Sequence, residues 1–174
     1  MNIHTIVIHY SATYPDANVT RAVVDRWHRD RGFREIGYHW FIRRDGTLEE
    51  GRAEGTLGAH VRGHNSGTIG ICWAGGLERN TGTNVGAWNP TPEQEACMVR
   101  LIRDIQARHP GATRVVGHND LVATLCPGLP KGGVAQWWSR QSTPKPAPAA
   151  PRQPAPQSSP GGFWATFLNL FRRD

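Results

Sequence analysis

The sequence predicts an α/β domain, a central mixed β-sheet flanked by helices, followed by a flexible C-terminal tail. Three observations carry this expectation. Short apolar, β-branched runs recur along the chain at Ile6-Val7-Ile8, Ile69-Gly70-Ile71 and Val115-Val116, as buried strands require. Between them stand segments whose apolar residues repeat with helical spacing, and strands alternating with helices argue for a largely buried sheet. Past Ser142 the composition shifts to proline and alanine, which cannot build a core.

Taken in order, residues 4–9 make the first strand, closed by His9. A helix is expected from about Thr20 to Arg31, with Val23, Val24 and Trp27 on one apolar face. A second strand at 38–43 turns at Asp45-Gly46 into a short third strand near 47–50. Residues 68–74 are apolar and β-branched enough for a buried strand. The clearest helix starts at Thr91, where Pro92 at the first position and Gln94 at the third make a capping box. Cys97, Leu101 and Ile105 continue one stripe with Met98 and Ile102 beside it, and His109-Pro110-Gly111 stops the helix. A last strand, 114–118, delivers His118, and a short helix covers 133–140.

The chain therefore divides into a globular domain at 1–141, a linker at 142–162 and an appendage at 163–174. The linker contains TPKPAPAAPRQPAPQSSP and should be extended. In the appendage, Phe163, Trp164, Phe167, Leu168 and Phe171 share one helical face, and Arg172 and Arg173 end it. Such a segment suits an anionic membrane surface, with arginines toward the lipid headgroups. The net charge of +6 favours an anionic partner. No long basic run or aromatic-interleaved patch points to nucleic acid, and a monomer is expected.

Three cysteines do not make a disulfide framework. Cys72 sits in a strand-like run and Cys97 on a helical apolar face, so both read as core. The N-terminus passes directly into a strand, with no basic or apolar leader region. No stretch approaches the ~18 apolar residues of a membrane span. The protein is expected to be made in the cytoplasm without a signal peptide.

Three residues on different elements stand out as metal ligands: His9, His118 and Cys126. Each histidine closes an apolar strand, and the loop after His118 can return the thiolate to both. Three protein ligands leave one tetrahedral position open, the arrangement of a catalytic zinc site. No CxxC, HxxxH or HExxH pattern accompanies them, so no closed structural site is indicated.

The segments IVIHYSAT (6–13), GYHWFIRRDGTLEEGR (37–52), GAHVRGHNSGTIGI (58–71) and GHNDLVATLCPG (117–128) resemble the zinc-dependent N-acetylmuramoyl-L-alanine amidases. They are most similar to the branch holding small bacteriophage lysozymes of amidase type and the peptidoglycan recognition proteins. The likeness runs in order from about residue 3 to 139 and leaves the tail outside. It implies that His9, His118 and Cys126 hold zinc, and that Tyr38 faces the attacking water. Thr124 falls where phage enzymes usually carry a lysine, so a hydroxyl replaces a cation there. The resemblance also implies that His60 borders the substrate groove, with Asn65 and Arg44 as further groove residues. His39 reads as structural, and Asp120 is a weak candidate for general base.

The activity so implied is cleavage of the amide joining N-acetylmuramic acid to L-alanine in peptidoglycan. Zinc lowers the pKa of a bound water to roughly 7, and Tyr38 and Thr124 can donate to the developing oxyanion. An endolysin without a signal peptide would reach the wall by a holin or similar route. A non-catalytic muropeptide-binding module, or a bacterial recycling or toxin amidase, remains an alternative.

Overall fold

The computed structural model describes residues 1–79 and 86–142; of the linker and appendage expected at 142–174, only Ser142 is described, and it ends the last helix, while the rest lies outside the described residues. The elements run β1 (Thr5–Tyr10), α1 (Arg21–Asp30), β2 (Trp40–Ile42), β3 (Leu48–Glu50), β4 (Thr68–Trp73), α2 (Pro92–Arg108), β5 (Arg114–Gly117) and α3 (Gly133–Ser142). They form one mixed sheet in the order β3-β2-β4-β1-β5. Strand β1 pairs in parallel with β4 and β5, β2 pairs in parallel with β4, and only β3 is antiparallel. Parallel strands are normally buried on both faces, and all six residues of β4 are buried.

Side-chain alternation along the strands divides the interior in two. Ile6, Ile8, Ile42, Ile69, Ile71 and Trp73 face one way, into a cluster completed by α2 and α3 through Met98, Ile102, Ile105, Val134 and Trp137. Their neighbours face the other way. Phe41 and Cys72 meet Val24 of α1 in a second cluster, and Val7 and Val116 meet Val61 in a third. The polar residues Thr5, His9, Thr68 and His39 are buried as well.

Local signals explain the helix ends. Thr91 and Gln94 form the expected capping box at the start of α2. The Gln94 amide also donates to the carbonyls of Ile42 and Ala74, which ties the helix to β2 and β4. Thr20 caps α1 by accepting from the Val23 amide.

Three expectations are corrected. The second strand covers Trp40–Ile42 rather than 38–43, although Tyr38 and His39 still accept from Arg52 and Gly51 through their carbonyls. Trp27 is not part of the buried face of α1: Val24 and His28 are buried there, while Trp27 is 38 % exposed. His118 does not end β5. That strand stops at Gly117, whose amide donates to the Asp120 carboxylate (2.7 Å), and the chain turns there into a short 3-10 helix, His118–Asp120.

Candidate active site

Parallel pairing brings the ligand candidates together. In the register of β1 and β5, Ile8 stands opposite Gly117, so the residues that follow, His9 and His118, emerge side by side. Their ring centroids are 4.6 Å apart. The 3-10 turn then reverses the chain, and the Asn119 amide donates to the Cys126 carbonyl (2.9 Å). This returns Cys126 to the end of β1, where its Sγ accepts from the Tyr10 amide (3.4 Å) and lies 3.8 Å from His9 Nδ1.

One ligand atom from each of His9, His118 and Cys126 lies within 4.8 Å of the others. A tetrahedral zinc with bonds of ~2.3 Å to sulfur and ~2.0 Å to nitrogen would hold the two about 3.5 Å apart, close to the observed His9–Cys126 spacing of 3.8 Å. Soft nitrogen and sulfur donors with no carboxylate among them suit zinc rather than calcium or magnesium. The electrostatics leave both imidazoles neutral, as metal ligands must be. Burial, then the neighbouring His60 and His118, holds His9 well below the ordinary histidine value. Burial lowers His118. Burial also pushes the Cys126 thiol up to about 12, against the opposing bond from Tyr10. A coordinated metal deprotonates such a thiol outright.

A groove of about 610 Å³ opens beside these donors, lined by His118, Tyr38, Thr124, Trp27, His28 and Arg31 among others. That volume suits a small ligand or a short segment of polymer. The Tyr38 ring lies 5.1 Å from His9. Burial, followed by the adjacent Cys72 and Cys126, raises its phenol well above the usual value, so it stays a donor. Thr124 is exposed on the opposite loop, its Oγ1 accepting from the Cys126 amide (3.3 Å). Its own hydroxyl hydrogen is therefore free to point elsewhere.

The residues expected to bind substrate are placed differently. His60 is buried, 8 % exposed, and its Nδ1 lies 3.1 Å from His9 Nε2, so it meets the donor cluster from inside. Asn65 accepts from the His60 and Val61 amides through one oxygen (2.9 Å each) and thereby shapes the loop that carries His60. Arg44 bonds the Asn89 carbonyl (2.8 Å) and the Gln94 side chain (3.1 Å); it clamps the start of α2 and does not line the groove. Asp120 spends both oxygens on backbone amides, those of Gly117 and Gly132, which leaves it a turn-forming residue rather than a base. His39 is structural, accepting from the Gly70 amide and bonding the Thr56 carbonyl. Cys72 and Cys97 are buried, as expected of core residues.

Sequence reasoning missed Trp27 and His28 as groove residues. Their consecutive placement at the end of α1 was the available signal, but only the crossing of α1 over Tyr38 reveals its use: the His28 and Tyr38 rings are 5.3 Å apart. His28 Nδ1 accepts from the Gly37 amide (2.7 Å). Burial, helped by Arg31 and Arg52, lowers its pKa to about 4, so it faces the groove as a neutral ring.

Comparison with known proteins agrees with this architecture. A family model described as N-acetylmuramoyl-L-alanine amidase matches residues 1–129. The endolysin of Klebsiella phage KP32 is 33% identical over 135 residues, covering 78% of this chain and 85% of that protein. A peptidoglycan-recognition protein of Drosophila melanogaster is 32% identical over 133 residues, 73% of this chain and 69% of that protein. Among solved structures, the N-acetylmuramoyl-L-alanine amidase LysC from Clostridium intestinale superposes with a TM-score of 0.63 at 32% identity, covering 73% of this chain and 77% of that one. On the family match and these relatives together, the chain belongs to the N-acetylmuramoyl-L-alanine amidase family.

Proposed function

We propose that this chain is a peptidoglycan hydrolase of endolysin type, cutting the amide between N-acetylmuramic acid and L-alanine with zinc held by His9, His118 and Cys126. The observation that carries the reading is the meeting of these three donors within 4.8 Å, beside a groove that also presents Tyr38 and Thr124. When bound, zinc supplies a Lewis acid and a water of pKa near 7. The protein's own residues do the rest. Tyr38, kept protonated, donates to the oxygen on which charge develops. Thr124, with its hydrogen uncommitted to the backbone, donates from the other side. Trp27 supplies an apolar wall, and the groove orients the stem peptide along α1.

A muropeptide-binding module that does not cut is the competing reading. Cys126 favours cutting, since an imidazole pair alone would bind zinc less firmly and the thiolate completes a three-ligand catalytic set. The appendage at 163–174 is proposed to contact anionic membrane, supported by its aromatic stripe and terminal arginines.

Digestion of purified peptidoglycan tests the reading. Mass spectrometry should find free stem peptides with new L-alanine amino termini and no new reducing sugars. Cut glycan strands with intact lactyl amides would reassign the chain to the glycosidases. Undigested peptidoglycan that still binds the protein tightly would favour the binding module. Elemental analysis should find about one zinc per chain.

A further inference from the structure

Behind the donor cluster a chain of hydrogen bonds runs from His9 into the interior. His9 Nε2 lies 3.1 Å from His60 Nδ1, and His60 Nε2 lies 3.3 Å from the Thr68 hydroxyl. The hydroxyl is within 3.0 Å of two backbone carbonyls, those of His64 and Asn65. Carbonyls cannot donate, and both lie closer to the hydroxyl than His60 Nε2 does, so the Thr68 hydrogen goes to one of them and its oxygen is left to accept. The proton on His60 is then on Nε2, and His60 Nδ1 is bare. His9 must donate to it from Nε2, which leaves the His9 Nδ1 lone pair free on the side where Cys126 Sγ lies 3.8 Å away. The reverse order in a neutral His60 would turn the Thr68 hydrogen to Nε2 at 3.3 Å and leave two carbonyls 3.0 Å from a hydroxyl that donates to neither; a His60 protonated on both nitrogens would be a buried cation with no carboxylate bonded to it among the described residues.

The surroundings are shaped for this ring. A Cβ built on Gly70 would fall 2.6 Å from His60 Cγ, and one on Gly58 would fall 2.6 Å from His60 Cδ2. Both positions are open only because they are glycine. Asn65 holds the backbone of His60 from the other side. Packing therefore fixes the plane of the ring, and its two bonds fix which way round it stands.

We infer that His60 and Thr68 are positioning residues that set the tautomer of His9, with the direction of every bond dictated by the carbonyls of residues 64 and 65, so that His9 presents Nδ1 to the metal. This rests on the zinc reading above. It gives His60 a role through His9 in place of the substrate contact that the sequence suggested. It also predicts where the effect of distant changes lies, since Thr68 touches neither metal donor nor groove.

Two measurements test the inference. Nitrogen-15 NMR of metal-free wild-type protein should show His60 protonated on Nε2 and bare on Nδ1, with His9 protonated on Nε2. A His60 protonated on Nδ1 would overturn the assignment, whatever the protein does with zinc. In the second, zinc affinity is read by chelator competition. Thr68→Val should weaken binding about 10-fold and His60→Ala up to about 100-fold, the range for residues that orient a metal-bound histidine. Thr68→Ser, which keeps the hydroxyl, should restore wild-type affinity. Wild-type affinity in a folded Thr68→Val protein would refute the relay. A wild type that binds no zinc would refute the metal reading instead, while the NMR pattern would still decide the tautomers.

Discussion

The two faces of the sheet are built from alternate residues of the same strands, yet they differ in kind. Toward α2 and α3 the strands present Ile6, Ile8, Ile69, Ile71 and Trp73, an unbroken apolar layer. Toward α1 and the 51–67 loop they present Val7 and Phe41 interspersed with Thr5, His9, Thr68 and Cys72. The first face gains stability from area removed from water. The second buries polar groups, each of which must find a partner; His9 and Thr68 both find one in His60. A histidine placed one residue earlier in β1 would point into the isoleucine layer, because the side-chain period of a strand is two. The same strand thus anchors the fold with one face and holds the chemistry with the other.

Changes on the two faces should separate activity from stability. The largest effect is expected from the metal donors. Cys126→Ser or His118→Ala should lose zinc and lower peptidoglycan hydrolysis by at least about 1,000-fold, with far-UV circular dichroism unchanged. Cys72→Ser and Cys97→Ser should retain the metal by elemental analysis. Zinc retained in Cys126→Ser would remove the thiolate from the ligand set.

On the other face, Ile71→Ala should cost about 3–4 kcal/mol in urea unfolding while the folded fraction keeps its zinc. A loss of metal without a loss of stability would show that the two faces are not independent. Tyr38→Phe should cut turnover about 100-fold and leave zinc content and melting temperature near wild type. Unchanged turnover would take the phenol out of the mechanism.

The polar face should also make stability depend on pH in a way the apolar face does not. His28 has a folded pKa of about 4 against 6.5 when unfolded. Above pH 6.5 neither state takes up the proton, and the full stability is present. As pH falls from 6.5 toward 4, the unfolded state binds a proton that the native state refuses, so stability is lost. Thermal melts of metal-free protein should show this decline, and His28→Gln should lessen it by one group's share, since burial also lowers His9, His39, His60 and His118, while Ile71→Ala shifts the whole curve down without changing its slope. The smallest effect on catalysis is expected from truncation after Gln141. Hydrolysis of isolated peptidoglycan should stay nearly constant, while binding to anionic liposomes falls. Equal liposome binding by full-length and truncated protein would rule out the proposed membrane contact.

Much of the fold was legible because its signals are local. The strand runs at 6–8, 69–71 and 115–116, and the Thr91 capping box, depend on neighbours a few residues apart, and each element appears within a residue or two of its expected ends. The sequence reads least well where a distant partner decides. Trp27 belongs to the helical stripe by spacing but turns to the groove, because His28 takes the buried place to accept from Gly37. Arg44 sits in a motif shared with the family, yet its guanidinium is drawn off by Asn89 and Gln94. Asp120, only a weak candidate for base from its sequence, gives both its oxygens to the amides of Gly117 and Gly132.

By itself the sequence determined the class of fold and the order of its elements, and it singled out the three candidate donors, since strand period and residue chemistry are carried by the chain's own pattern. Only the tertiary structure decided that β1 and β5 lie in a register that sets His9 beside His118, and that His60 stands behind His9 rather than in the groove. The reason is that register and hydrogen-bond direction arise between segments up to 109 residues apart, as His9 and His118 are. Nothing in either segment encodes its partner until packing has brought the two together.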